Sequence, residues 1–380
     1  MTGQLIHLNT AGAGLMPAAV STAMADCLAR EAATGGYETE LHHDEVLQHD
    51  VYRRLGRVLG ADAGDLALFD SATRAWWRVV SRLDLGPDDL IWVTPYEYAG
   101  SLIGYFNLRD RTGCTIETIP LRPDGNLDLD WMAAHLSDRV ALVSVTHVPS
   151  GCGIVNPVAE IGRLLAPYRA RYAVDACQAV GQLPLDVAEI GCDLLTGAGR
   201  KFLCGPRGSG FAYTTPELRA ALLPDFTDLH VARVSSPTAV TVHEESARTL
   251  ELGERSTAVV LGLHAALGHH LELAEEGRAF PRKDVVEALH ACVAGLPGAE
   301  LLAPGTQQSG ILSFRHAALS AEEVRDGLAA RGINGWKISG DHTPLYLSAR
   351  GVDTAVRLSV HHYTTLEDVE ALGRALHGLR

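Results

Sequence analysis

The chain has 380 residues, 47% of them hydrophobic and 21% charged, a balance that fits a globular protein with room for two cores. Its formal net charge of −14 argues against nucleic acid or an anionic membrane as a partner. Seven scattered cysteines, none in a Cys-x-x-Cys pair, point to reduced thiols in a cytoplasm rather than to a disulfide framework or a zinc site.

The first residues show no basic segment followed by an apolar one, so no signal peptide is expected. From residue 17 to about 215, strand-like apolar runs alternate with helical patterns. Strands are predicted at 66–69, 90–94, 116–121, 140–146, 172–175, 194–196 and 210–214. Helices are predicted at 74–82, 99–111 and 158–166. Such alternation reads as an α/β unit with a largely parallel sheet of seven strands and helices on both faces. Past residue 256 the pattern changes. Long helical stretches at 257–277 and 283–295 precede a capping box at Ser320 and Glu323, and a last helix opens at Thr365. Short strands at 310–315 and 355–360 complete a smaller α+β unit. The expected division is 15–255 for the large domain, with 256–380 and the first 14 residues in the small one. The helix from Thr257 is expected to join them.

Five segments carry chemistry. Phe69-Asp-Ser-Ala-Thr-Arg74 runs from a strand into a helix. There the free amides of Ala72 and Thr73, with the Thr73 hydroxyl, form either a phosphate cradle or an ordinary helix start. Tyr98, after the strand at 90–94, suits stacking on a flat ring and equally suits a packed core. Asp175 ends the strand at 172–175. A carboxylate there can hold a pyridine nitrogen protonated or simply cap a helix, and Gln178 follows within reach of a ring hydroxyl. Lys201 is one of three lysines among 32 basic residues, yet it lies in the glycine-rich stretch 196–210. Arginine replaces lysine as a charge but not as an amine that forms an imine, so Schiff-base chemistry is the functional reading and a surface turn the bland one. Arg200 beside it suits a phosphate. Arg357, in Val356-Arg-Leu-Ser359, is a carboxylate clamp or a surface strand arginine.

In this order the segments resemble the class V aminotransferase and cysteine desulfurase family, pyridoxal-phosphate enzymes of fold-type I. The resemblance covers nearly the whole chain, and a homodimer acting on a small amino acid is what it implies. By the same match, the segment 8–17 with Asn9 lines the site and Tyr98 replaces a ring-stacking histidine. Ser150 faces the ring hydroxyl side, and Arg200 stands at a histidine position. Ala198 stands where a phosphate-binding serine is common. Arg357 grips the substrate carboxylate. The segment 250–256 matches one that reaches the partner's phosphate, with Arg255 or Ser256 as candidates for that contact.

Desulfurases need a nucleophilic cysteine in a loop of the small domain, and residues 333–344 contain none. The segments Gly35-Gly36-Tyr37, Glu97-Tyr98, Arg200-Lys201, Gly205-Pro-Arg-Gly208 and Gly253-Glu254 resemble the hercynylcysteine sulfoxide lyases of ergothioneine biosynthesis, which act in secondary metabolism. This points to a carbon–sulfur β-lyase on an S-substituted cysteine. Tyr37, Trp336 and His342 are candidates for substrate-pocket walls or for packing. A transaminase, an epimerase, a decarboxylating oxidative deaminase and a non-catalytic scaffold remain as other readings. The paired histidines at 42–43, 269–270 and 361–362 lie in unrelated segments, and no metal site is expected.

Overall fold

The apolar runs between residues 66 and 214 pair into one seven-stranded sheet in a computed structural model that describes residues 5–242 and 244–379. Its spatial order is Leu66–Phe69, Gly210–Thr214, Leu194–Ala198, Arg171–Asp175, Val140–Thr146, Leu90–Val93 and Thr115–Thr118. Gly210–Thr214 runs antiparallel to both of its neighbours, and the other pairs are parallel. Strands buried on both faces read as unbroken apolar runs, and Val140–Thr146 (VALVSVT) is of that kind. The strand expected at 116–121 ends at Thr118. Pro120 lacks the amide that would continue the ladder.

Helices flank this sheet. Ala72–Val80 is capped by Ser71, whose hydroxyl accepts from the Arg74 amide, and it buries Ala75, Trp76, Val79 and Val80 on one stripe. The helix Thr257–Glu275 packs against Ala18–Thr34 and Val51–Leu59. Its Ala258, Val260, Leu261, Leu263 and Leu267 join the core of the large sheet. The helix expected to join the two units thus packs on the large one, because its apolar residues face that core.

A second sheet, all antiparallel, is ordered Ala299–Leu301, Ile311–His316, Thr354–Ser359 and Trp336–Ser339. Helices Lys283–Ala294, Ala321–Ala329 and Leu366–His377 bury Val285, Leu289, Leu328 and Leu372 with Phe314 and Leu358. Capping boxes open two of these helices, at Ser320 with Glu323 and at Thr365 with Asp368. The N-terminal strand Ile6–His7 pairs with Ile333–Asn334, and Asn9 bridges to Ser359. The two edge strands Ala299–Leu301 and Trp336–Ser339, and the exposed hairpin of Ala232–Ser236 with Ala239–Val242, have no sequence expectation. They are short and lack clean alternation. No described helix is long and apolar enough to cross a membrane.

The small unit meets the large one at His361, whose Nε2 lies 2.6 Å from the Phe202 carbonyl. Burial, then neighbouring His362, holds this imidazole well below the usual histidine range. Burial also lowers His147 and His270 to about 4. Unfolded, each would take a proton near ~6.5; folded, each stays neutral, so the unfolded state binds more protons as pH falls. Stability is full above about pH 7 and is expected to drop by roughly 2 kcal/mol per buried histidine by about pH 5. Denaturant midpoints measured across that window check this, and a flat profile contradicts it.

Candidate active site

The site is set by two adjacent strands. In Arg171–Asp175 and Leu194–Ala198, parallel pairing places Asp175 beside Thr196. The chain then turns through Gly199, whose amide bonds the Ser209 carbonyl at 3.0 Å, and delivers Lys201 to the same end of the sheet. Open α/β sheets bind ligands at this carboxyl end. The Lys201 loop is closed by Cys204, in the left-handed region at φ 55, whose amide bonds the Lys201 carbonyl at 3.0 Å.

A cavity of about 330 Å³ opens there. Lys201, Asp175, Gln178, Ala72, Thr73, Tyr98, Ser150, Arg200 and Arg357 all line it. Burial lowers the pKa of the Lys201 amine, against the opposing pull of Cys177 and Asp175. A lysine so shifted keeps more of its amine in the free, nucleophilic form at neutral pH. One Asp175 carboxylate oxygen accepts the Cys177 amide at 2.9 Å. Gln178 donates to the Ala11 carbonyl at 3.1 Å, while its side-chain oxygen is buried without a partner among the described residues.

At the far wall Arg357 is only 7% exposed. It donates to Asn9 Oδ1 at 3.2 Å, and its Nε is an orphan donor among the described residues. Burial, then Arg200, lowers its pKa to about 10, which leaves it cationic at neutral pH. A buried cation with spare donors beside a cavity fits a carboxylate. Trp336 and Tyr98, 49% and 43% exposed, border the mouth, and the Tyr98 ring lies 6.2 Å from His342.

Tyr37 stands elsewhere than its sequence position suggests. Tyr37, on the helix Gly36–His42, is 83% exposed and lines a separate surface pocket with Gln48, His230 and Arg248. It cannot wall the cavity of its own chain, because its helix lies on another face. Arg200, which lines the cavity, donates from Nη1 to the Gly12 carbonyl and so holds the N-terminal segment against the lysine loop. Arg255 is likewise committed within the chain, to the Tyr52 hydroxyl, Glu251 and the Leu47 carbonyl. Ser256 caps the helix Thr257–Glu275.

Sequence reading assigned no role to Cys177, Trp77, Lys337 or Thr343, which also line the cavity. Cys177 was legible in principle as the second residue after Asp175. Burial, then the Asp175 charge, pushes its thiol far up, so it stays protonated. Among the described residues no group of three or more His, Cys, Asp or Glu could hold a metal ion.

Comparison with known proteins agrees with this architecture. The family described as Aminotransferase class-V matches residues 6–372. A cysteine desulfurase of Dickeya dadantii is 29% identical over 329 residues, covering 84% of this chain and 78% of its own. One from Klebsiella pneumoniae is 27% identical, covering 99% and 93%. The chain spans about half the length of two other curated relatives, 46% of a cysteine desulfurase of Synechococcus elongatus and 47% of a probable one of Mycolicibacterium paratuberculosis. Among solved structures, the apo cysteine desulfurase of Thermococcus onnurineus superposes with a TM-score of 0.85 at 23% identity, covering 99% of this chain and 94% of that one. The cystine C–S lyase C-DES, in complex with its reaction product cysteine persulfide, gives 0.86 at 22%, covering 99% and 98%. The chain belongs to the class-V aminotransferase family and has its fold, a mostly parallel seven-stranded sheet with helices and a smaller α+β unit.

Gly210 lies against the start of the helix Ala72–Val80. A Cβ there would stand 2.3 Å from the Ser71 carbonyl carbon and 2.5 Å from the Ala72 amide nitrogen. Gly210→Ala must push the helix start away, and overpacking of this kind costs about 1–3 kcal/mol. A lowered denaturant midpoint is the expected result, and an unchanged midpoint would show that the helix start gives way freely.

Proposed function

We propose that this chain is a pyridoxal-phosphate-dependent carbon–sulfur β-lyase acting on an S-substituted cysteine. The products are pyruvate, ammonia and a thiol, or a sulfenate where the substrate is a sulfoxide of the hercynylcysteine kind. The observation that carries the reading is a buried lysine amine and a strand-end carboxylate in one cavity, faced by a buried arginine. A lysine-to-alanine mutant of the neighbour C-DES carries glycine covalently linked to its PLP cofactor, at a TM-score of 0.86.

The residues fit that cofactor. The amides of Ala72 and Thr73 at a helix start hold a phosphate. Asp175 would hold a proton on the pyridine nitrogen, Ser150 and Gln178 would bind the ring hydroxyl, and Tyr98 would stack on the ring. Arg200 braces the segment of Gly12 against the lysine loop. Pyridoxal phosphate, when bound, supplies an electron sink for bonds at the substrate's Cα. Arg357 and Asn9 fix the substrate carboxylate, which orients the Cα–H bond. Lys201 Nζ takes the Cα proton. The Cβ–S bond then breaks, the sulfur leaves with its electron pair and takes a proton, and water releases pyruvate and ammonia.

Persulfide transfer, the cysteine desulfurase reaction, requires a reactive thiol. Residues 333–344 hold none, Cys177 is kept protonated, and Cys292 lies on the helix Lys283–Ala294 against Val369. The reading includes a homodimer. Tyr37, Leu41 and Leu252 are exposed around one surface pocket that a second copy would cover.

Incubation with a panel of cysteine S-conjugates tests the reaction. Pyruvate with ammonia is expected, whereas alanine would mean desulfuration and carbon dioxide a decarboxylating route. Lys201→Ala should abolish turnover and the mass increase seen after borohydride reduction. Asp175→Asn should lower turnover by roughly 100-fold, the scale of removing one preorganised charge partner. Arg357→Ala should raise KM by about 10-fold or more with a smaller change in kcat, as loss of a charge-assisted contact does.

A further inference from the structure

Beside Asp175 lies a buried polar compartment that the reaction above leaves unused. Glu97 follows the strand Leu90–Val93 and is 0% exposed. Ser144 donates to one of its carboxyl oxygens at 3.3 Å. Its other oxygen has no partner among the described residues, and neither do the Thr94, Thr146 and Tyr105 hydroxyls or the Trp76 indole nitrogen. These groups come from four elements that meet at one place. Trp76 is on Ala72–Val80, Tyr105 on Ala99–Thr112, Ser144 and Thr146 on Val140–Thr146, and Thr94 ends Leu90–Val93. Parallel pairing sets Thr146 directly beside Asp175.

An orphaned polar atom in a dry site costs about 1–3 kcal/mol, so a cluster of them implies mutual hydrogen bonds or ordered water. The titratable groups that act on Glu97 are Asp175, an acid, and Tyr105, whose own phenol is held protonated by burial and by Glu97. Among the described residues the Glu97 carboxyl has Ser144 as its hydrogen-bond partner, and no lysine or arginine is paired with it. A buried carboxylate with no cation beside it is far costlier than the neutral acid. In keeping with this, burial first and the Asp175 charge second raise Glu97 to about 8.

We propose that Glu97 is a positioning residue for the cofactor: it stands as a neutral carboxylic acid among the Thr94, Ser144 and Thr146 hydroxyls beside Asp175, and so leaves Asp175 as the one charged partner for the pyridine nitrogen. This deepens the function proposed above and rests on Asp175 facing the cofactor. A neutral acid leaves the negative charge of the compartment on Asp175 alone. Loss of its proton adds a second negative charge, which tightens the hold on the proton at the ring nitrogen.

Two readouts test it. Infrared difference spectra of the cofactor-free protein near neutral pH should show a protonated-carboxyl carbonyl band that Glu97→Gln lacks and that titrates away in the parent near pH 8. In cofactor-loaded protein, the visible absorbance should carry an inflection near the same pH that Glu97→Gln removes and Glu97→Asp restores in part. No band difference, or identical absorbance titrations of parent and Glu97→Gln with cofactor bound, would overturn the positioning role and leave the lyase reading intact. If the parent binds no cofactor, the proposed function falls and this role falls with it, whatever the infrared band shows.

Discussion

The pairing of Arg171–Asp175 with Leu194–Ala198 is the constraint on which the rest of the site depends. Both strands are buried through most of their length, so their register is held by packing on both faces. A slip of one residue would turn Asp175 away from the cavity and retract the loop that carries Lys201. An acid at the last position of one strand and an amine just past the end of its neighbour follow from that register. Gly199 lets the turn pass close to Ser209, and the amide bonds of Gly199, Cys204 and Gly205 close the loop.

Burial then sorts the charged groups by the company each keeps. Lys201 loses basicity because desolvation outweighs its acidic neighbours. Cys177, two residues from Asp175, is driven the other way by the same burial and the adjacent negative charge, so a thiol in the cavity is not a nucleophile. Arg357 tolerates nearly full burial because a guanidinium stays charged where an amine would not. Glu97 feels the Asp175 charge and is paired with no cation among the described residues, and the proton stays on the acid. The cavity thus holds a weakened base, a silent thiol and a fixed cation, with a neutral acid in the compartment beside it.

The small sheet completes the cavity from the other side. The strand Thr354–Ser359 carries Arg357, while the N-terminal segment runs beside it, with Asn9 bridging to Ser359 and bonded to Arg357. Residues 348 positions apart in the chain are therefore bonded to each other behind the cavity wall. His361 ties the end of that strand to the loop of Lys201 through the Phe202 carbonyl.

The strand and helix alternation was legible in sequence because buried parallel strands are unbroken apolar runs with turn residues between them. Lys201 stood out through scarcity, and Asp175 through its place at the end of such a run. Side-chain direction was not legible. Tyr37 lines another surface pocket, Arg255 spends its donors on the Leu47 carbonyl and neighbouring side chains, and the helix from Thr257 packs on the large core. Each of these depends on where a distant element lies, which local pattern does not encode. Chain order and residue chemistry alone determined the sheet, the candidate acid and the candidate amine. Only the tertiary structure decided which of them share a cavity and which buried acid is paired with no cation among the described residues, because burial and charge proximity are properties of packed neighbours rather than of sequence spacing.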